Sequence, residues 1–63
     1  MQTLLTPIEL AERWKLKPST LEAWRVRGGG PNLPWTKIGG AVRYRLADVE
    51  RVEAENLRDR EAA

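Results

Sequence analysis

The sequence predicts one small domain that is mainly α-helical and carries a single β-hairpin. Two helix-start signals follow each other closely in the first half of the chain, and a helical pattern without breakers closes it. Between them, the stretch "WTKIGGAVRYR" alternates polar and apolar side chains around a double glycine, as β-hairpins do. With 63 residues and no cysteine, the chain has a small core and folds by apolar packing rather than through disulfides.

The first predicted helix begins after Thr6 and ends near Trp14 or Lys15. Thr6 is a good N-cap, Pro7 suits the first helical position, and Glu9 completes a capping box three residues after the cap. One apolar face is expected to pack inward, and its members are Ile8, Leu10, Ala11 and Trp14.

A second helix is predicted to start a few residues later and to stop at Gly28. Two starts are compatible with the residues. Either Ser19 and Glu22 form another capping box, or Lys17 is the cap and Pro18 occupies the first turn. Both place the end of the helix at Arg27.

The faces of this second helix follow from its apolar residues. Leu21 and Trp24 lie three residues apart and are expected to point inward. The expected outward residues are Ser19, Ala23 and Val26, with Glu22 and Arg27 on the flanks.

The turn that precedes the second helix is tight and has Lys15 where such turns often have glycine. A positive φ at Lys15 would cost about 1 kcal/mol.

The register of the hairpin is predicted from the parity of its apolar residues. A two-residue Gly-Gly turn pairs Lys37 with Val42 and mixes a charge with an apolar side chain on one face. A three-residue Gly-Gly-Ala loop pairs Ile38 with Val42 and is therefore preferred. The preferred register puts Ile38, Val42 and Tyr44 inward and Lys37, Arg43 and Arg45 outward.

The last predicted helix has an apolar stripe at Leu46, Val49 and Val52 that ends there. We therefore expect a folded domain over residues 1–52 and a helical tail over residues 53–63.

The charged residues are distributed unevenly along the chain. Residues 1–45 carry eight basic and three acidic side chains, whereas residues 46–63 carry three basic and six acidic ones. A basic body with an acidic tail is typical of a polyanion-binding surface.

The composition argues against several classes of function. Without histidine or cysteine the chain has neither the commonest general base nor a thiolate, so we expect no enzyme, no metal site and no cofactor. No apolar run is long enough for a membrane span. The lack of cysteine fits a cytoplasmic location.

Two helices joined by a tight turn and followed by a hairpin predict a winged helix-turn-helix, in which helix and wing together clamp DNA. The chain resembles the excisionase and MerR-like winged-helix group. The resemblance runs from Leu5 to about Val52 and is carried by "LTPIELAERW", "PSTLEAWR" and "KIGGAVRYRLADVERV".

The resemblance implies a recognition helix over Pro18–Arg27 and a wing tip at two glycines. Glu22 is either a cytosine contact or a capping residue, and the hydroxyls of Ser19 and Thr20 are likewise caps or phosphate donors. Trp14, Trp24 and Tyr44 are interpreted as core, and Trp35 as either core or surface. The implied DNA-binding residues are Ser19, Thr20, Glu22, Ala23, Arg25, Arg27, Lys37, Gly39, Gly40, Arg43 and Arg45.

The resemblance also implies a role. Excisionase-like proteins bind attachment-site DNA cooperatively, bend it and direct an integrase towards excision. The implied partners are double-stranded DNA, neighbouring copies of the chain and a phage integrase, in a bacterial host cell. A small phage or prophage transcription regulator and a terminase-type adaptor are the alternatives.

Overall fold

Within residues 3–62 the protein has three helices and a three-stranded antiparallel sheet. A computed structural model describes the backbone of residues 3–62 and the side chains of residues 3–56. The elements in chain order are β1 (Leu4–Leu5), α1 (Pro7–Trp14), α2 (Pro18–Arg27), β2 (Thr36–Ile38), β3 (Ala41–Arg45) and α3 (Leu46–Ala62).

The predicted hairpin is confirmed, but the sheet has a third strand that the sequence did not indicate. β1 pairs with β3, with Leu4 opposite Arg45 and Leu5 opposite Tyr44, so that β3 is the central strand. The amide of Leu46 donates to the carbonyl of Thr3 at 2.9 Å and extends this pairing. Two residues are too few to show the alternation by which a strand is recognised in a sequence.

The capping of α1 is as predicted. The backbone N–H of Glu9 donates to the Thr6 hydroxyl at 3.0 Å, and the backbone N–H of Thr6 donates to the Glu9 carboxylate at 2.8 Å. At the other end, Lys15 has φ 59° and ψ 41°. The amides of Lys15 and Leu16 donate to the carbonyls of Glu12 and Ala11, which are the two bonds of a Schellman motif.

Replacing Lys15 by glycine is expected to stabilise the fold by about 1 kcal/mol, because glycine adopts positive φ without steric strain. The gain is measured as a higher denaturant midpoint in chemical unfolding. Lys15→Ala is the matched control, since it removes the same charge and keeps the β-carbon that causes the strain. Equal midpoints for the two variants would show that charge, not backbone strain, governs this position.

The two alternative starts of α2 are resolved in favour of Lys17. Lys17 is the N-cap residue, with φ −82°, and Pro18 is the first helical residue. Ser19 therefore lies inside the helix, and the alternative capping box with Glu22 is wrong. The end of α2 at Arg27, followed by Gly28 with φ 81°, is confirmed.

The predicted register of the hairpin is wrong by one residue. The turn contains only Gly39 and Gly40, with φ 56° and 88°, and the observed pair next to it is Ile38 with Ala41. Positive φ at both central residues is the geometry of a type I′ turn, which two glycines adopt easily. Lys37 consequently lies opposite Val42, on the other face from Arg43, and Ile38 is 55% exposed rather than inward.

The core lies between the helices and β3. Predicted core residues Tyr44 and Trp24 belong to it, Tyr44 fully buried and Trp24 half-buried against it. Ile8 was expected inward but is 61% exposed, because it lies two residues, or slightly more than half a turn of helix, from buried Leu10. Trp35 is 44% exposed. The buried cluster consists of Leu10, Ala11, Leu21, Tyr44 and Val49, with Leu5, Trp14, Trp24, Leu33 and Val42 packed against it.

α3 follows β3 without a loop. Val49 and Val52 are buried as expected from the apolar stripe, and Leu46 is half-buried. The helix continues through residue 52 without a break, and Glu53 still contacts α1. The division into residues 1–52 and a tail from residue 53 stays a prediction, and the side chains of 57–63 lie outside the described residues.

Candidate nucleic-acid interface

The outward face of α2 combines small, apolar and acidic side chains. Ser19 and Glu22 are exposed, Ala23 is half-buried, and Val26 is 77% exposed. Because the Ser19–Glu22 capping box does not form, the Glu22 carboxylate has no hydrogen-bond partner within residues 3–56. Thr20 is half-buried at the edge of this face. Among these residues Glu22 is the one charged side chain.

The tip of the hairpin is free of side chains. Gly39 and Gly40 are exposed, and a β-carbon at either position would have no heavy atom within 4 Å. The backbone can therefore approach another molecule closely here. Beside the tip, Lys37 is exposed on one face, while Arg43 and Arg45 follow each other on the opposite face.

Three of the predicted basic residues are already engaged within the protein. Arg25 donates to the Tyr44 hydroxyl at 2.6 Å, and Arg43 donates to the carbonyl of Val42 at 2.7 Å. Arg45 forms an ion pair with Asp48 at 2.7 Å. Their positive charge remains, but the orientation of each guanidinium is set by these contacts.

Four other cations make no hydrogen bond or ion pair within residues 3–56. They are Lys15, Lys17, Arg27 and Lys37, and all are exposed. Arg27 and Lys37 were predicted as site residues, whereas Lys15 and Lys17 were not. Lys15 and Lys17 both lie in the tight turn directly before α2, and this position is visible in the sequence.

A separate polar cluster joins α1 to α3. Arg13 donates to both carboxylate oxygens of Glu53, at 2.6 and 2.9 Å, and the Trp14 indole N–H donates to the same carboxylate at 2.6 Å. The hydrogen bonds from Arg13 lower the pKa of the Glu53 carboxyl, partly opposed by burial, and the Trp14 bond lowers it further. The same pair raises the pKa of the Arg13 guanidinium. The cluster fixes the start of the predicted acidic tail to the body.

Glu53→Gln is expected to lower the thermal midpoint by a few degrees at neutral pH, because it removes the carboxylate from this cluster. A lowered pKa in the folded state stabilises the fold above the ordinary glutamate pKa of about 4.3. That stabilisation is lost as the pH falls through the folded-state pKa. The difference between wild type and Glu53→Gln should therefore shrink in melts below about pH 4.

Glu12→Gln is the control for this experiment, since the Glu12 side chain is exposed and has no hydrogen bond within residues 3–56. Its thermal midpoint should follow that of the wild type across the whole pH range. A gap between wild type and Glu53→Gln that stays constant down to acidic pH would contradict the role given to the carboxylate.

The comparisons with known proteins were made against family models, curated proteins and solved structures. None of the three finds a match to this chain. The resemblance to the excisionase and MerR-like group therefore stays a prediction from the sequence. In the described part of the chain, no helix combines the length and apolar character needed to cross a membrane. The same residues contain no group of three metal-ligating side chains.

Proposed function

We propose that this chain is a winged helix-turn-helix protein that binds double-stranded DNA. In this proposal α2 is the recognition helix, and the hairpin of β2 and β3 is the wing. A helix in the major groove and a wing on the backbone or minor groove together hold a duplex from two sides. The order of α1, tight turn, α2 and hairpin supports this arrangement.

The observation that carries the proposal is the distribution of the four cations that have no internal partner within residues 3–56. Lys15 and Lys17 lie in the turn, Arg27 ends α2, and Lys37 lies on β2. All four thus belong to the helix-turn-helix unit or to the wing. Cations that are exposed and not neutralised are the groups that replace counterions on DNA phosphates. Gly39 and Gly40 allow the wing tip to approach the same backbone.

Base recognition is assigned to the outward face of α2. Ala23 and Val26 suit apolar contact with thymine methyl groups, and Glu22 suits the amino group of cytosine. Ser19 and Thr20 stand in the first turn of α2, where their hydroxyls suit phosphate oxygens. Arg43 and Arg45 add positive charge to the wing while they keep their internal contacts.

The role we propose is that of an excisionase-like accessory protein without catalytic activity of its own. It binds attachment-site DNA in the cytoplasm of a bacterial host, next to further copies of itself, and bends the DNA for a phage integrase. Bending is favoured when several small subunits add their phosphate contacts along one duplex.

Gel-shift titrations test this role. Attachment-site duplexes are expected to give a ladder of cooperative complexes with increased bending. A single complex on a promoter operator would instead indicate a transcription regulator of the same fold. The absence of any complex, on specific or random-sequence duplexes at low salt, would contradict DNA binding and favour a protein-adaptor function.

A further inference from the structure

One hydrogen bond connects the proposed recognition helix to the central strand of the sheet. Tyr44 in β3 is 2% exposed and its ring belongs to the buried cluster. Its hydroxyl accepts a hydrogen bond from Nη1 of Arg25 in α2 at 2.6 Å. Among the side-chain hydrogen bonds of residues 3–56, this is the one that joins α2 to the sheet.

α2 packs chiefly against α1 and only marginally against β3. Leu21 is the one fully buried side chain of α2, and Trp24 is half-buried. After α2, Gly28 and Gly29 both have positive φ, and no heavy atom lies within 4 Å of where a β-carbon would stand at either position. A crevice of about 80 Å³ lies here, lined by residues that include Arg25, Tyr44 and this glycine loop. The Arg25–Tyr44 hydrogen bond is therefore a direct polar link between α2 and β3 at this point.

The Arg25 guanidinium has N–H donors that are not used by the hydrogen bond to Tyr44. A guanidinium carries five N–H donors in a rigid plane, and within residues 3–56 that of Arg25 makes one hydrogen bond, to Tyr44. Arg25 is half-buried rather than fully enclosed, and Glu22 precedes it by three residues on the same flank of α2. A planar donor group that is held on one edge presents its other edge in a defined orientation, which suits two oxygens of one phosphate.

We infer that Tyr44 is a positioning residue for DNA binding, which acts by orienting Arg25 towards a phosphate of the duplex. Tyr44 itself is buried and does not touch the DNA. The phosphate lies at the junction of the recognition helix and the wing, so one contact fixes the angle between the two. This inference rests on the DNA-binding function proposed above.

Fluorescence anisotropy with a labelled random-sequence duplex, measured at several salt concentrations, tests the inference. Phosphate binding is independent of sequence, so the target site need not be known. Tyr44→Phe is expected to weaken binding roughly fivefold with an unchanged salt slope, because Arg25 keeps its charge and loses its orientation. Arg25→Gln is expected to weaken binding more and to lower the salt slope by about one.

The decisive variant combines Tyr44→Phe with Arg25→Gln. It should bind like Arg25→Gln alone, since Tyr44 acts only through Arg25. Additive losses in the double variant, or Tyr44→Phe binding like wild type, would overturn the inference and leave the proposed function intact. Failure of the wild type to bind would overturn both.

Two controls distinguish an effect of Tyr44 on the orientation of Arg25 from an effect on the stability of the fold. Thermal melts by circular dichroism identify a temperature at which all variants are folded, and binding is compared there. A purely structural role of Tyr44 would lower the melting temperature and leave the affinity of the folded protein unchanged. Arg51→Gln removes one positive charge from α3, where Arg51 contacts Glu55 and the carbonyl of Asn32, and should leave the salt slope unchanged.

Discussion

Replacing Arg27 and Lys37 together by glutamine is expected to weaken binding to random-sequence duplex DNA roughly 30-fold at about 0.15 M salt. Each phosphate contact releases about 0.9 counterions, so two lost contacts lower the salt slope by about two. The two residues were chosen because they are exposed, have no internal partner within residues 3–56, and represent helix and wing separately. Affinity is measured by anisotropy across a salt series.

Two single variants and one control show how much each of the two residues contributes to binding. Arg27→Gln and Lys37→Gln should each lower the slope by about one, and their effects should add because the residues lie on different elements. Arg51→Gln removes the same charge from α3 and should leave the slope unchanged. If Lys37→Gln bound like wild type and Arg27→Gln bound more weakly, the hairpin would not belong to the DNA-binding surface of the protein, whereas α2 would.

Replacing Gly30 by alanine is expected to destabilise the fold by about 2 kcal/mol, a large share of the stability of so small a domain. A β-carbon at Gly30 would overlap the Trp24 ring and lie only 2.7 Å from its Cε2 atom. The overlapped atoms include Cγ, close to the backbone, so a rotation of the side chain end does not relieve the clash. Either the glycine loop must shift, or Trp24 must move away from the core that it packs against. Chemical unfolding measures the loss.

Gly29→Ala is the matched control for Gly30→Ala. A β-carbon at Gly29 has no atom within 4 Å, but its φ of 96° is strained for alanine and costs about 1 kcal/mol. Gly30→Ala should therefore be the more damaging of two identical substitutions at adjacent positions. If the order were reversed, the packing of Trp24 against the loop would not contribute to stability.

The helix boundaries could be predicted because their causes are local. Thr6 and Glu9 cap α1 through atoms three residues apart, and Gly28 ends α2 by its own backbone freedom. Such interactions depend on residues that are adjacent in the chain, so they can be recognised without knowledge of the fold. The choice between Lys17 and Ser19 as the cap of α2 stayed open, because both starts satisfy the local rules.

The sequence prediction derived the hairpin register from the expected burial of apolar residues, but burial does not determine this register. All three residues of β2 are exposed, so no core contact selects which of its faces points inward. The register is decided instead by the Gly-Gly turn, whose two positive φ angles close a two-residue loop. Val42 and Tyr44 on β3 were placed correctly because that strand, unlike β2, packs against the core.

The sequence by itself determined the order of the helices, the position of the hairpin and the separation of a basic half from an acidic end. Only the tertiary structure decided which charged side chains within residues 3–56 have an internal partner. Arg25 meets Tyr44, and Arg13 meets Glu53, across separations of 19 and 40 residues along the chain. Partners so far apart are brought together by packing of the core, and no local pattern encodes them. The candidate site was therefore predicted as a set of residues, and the fold divided its cations into those with an internal partner and those without one in residues 3–56.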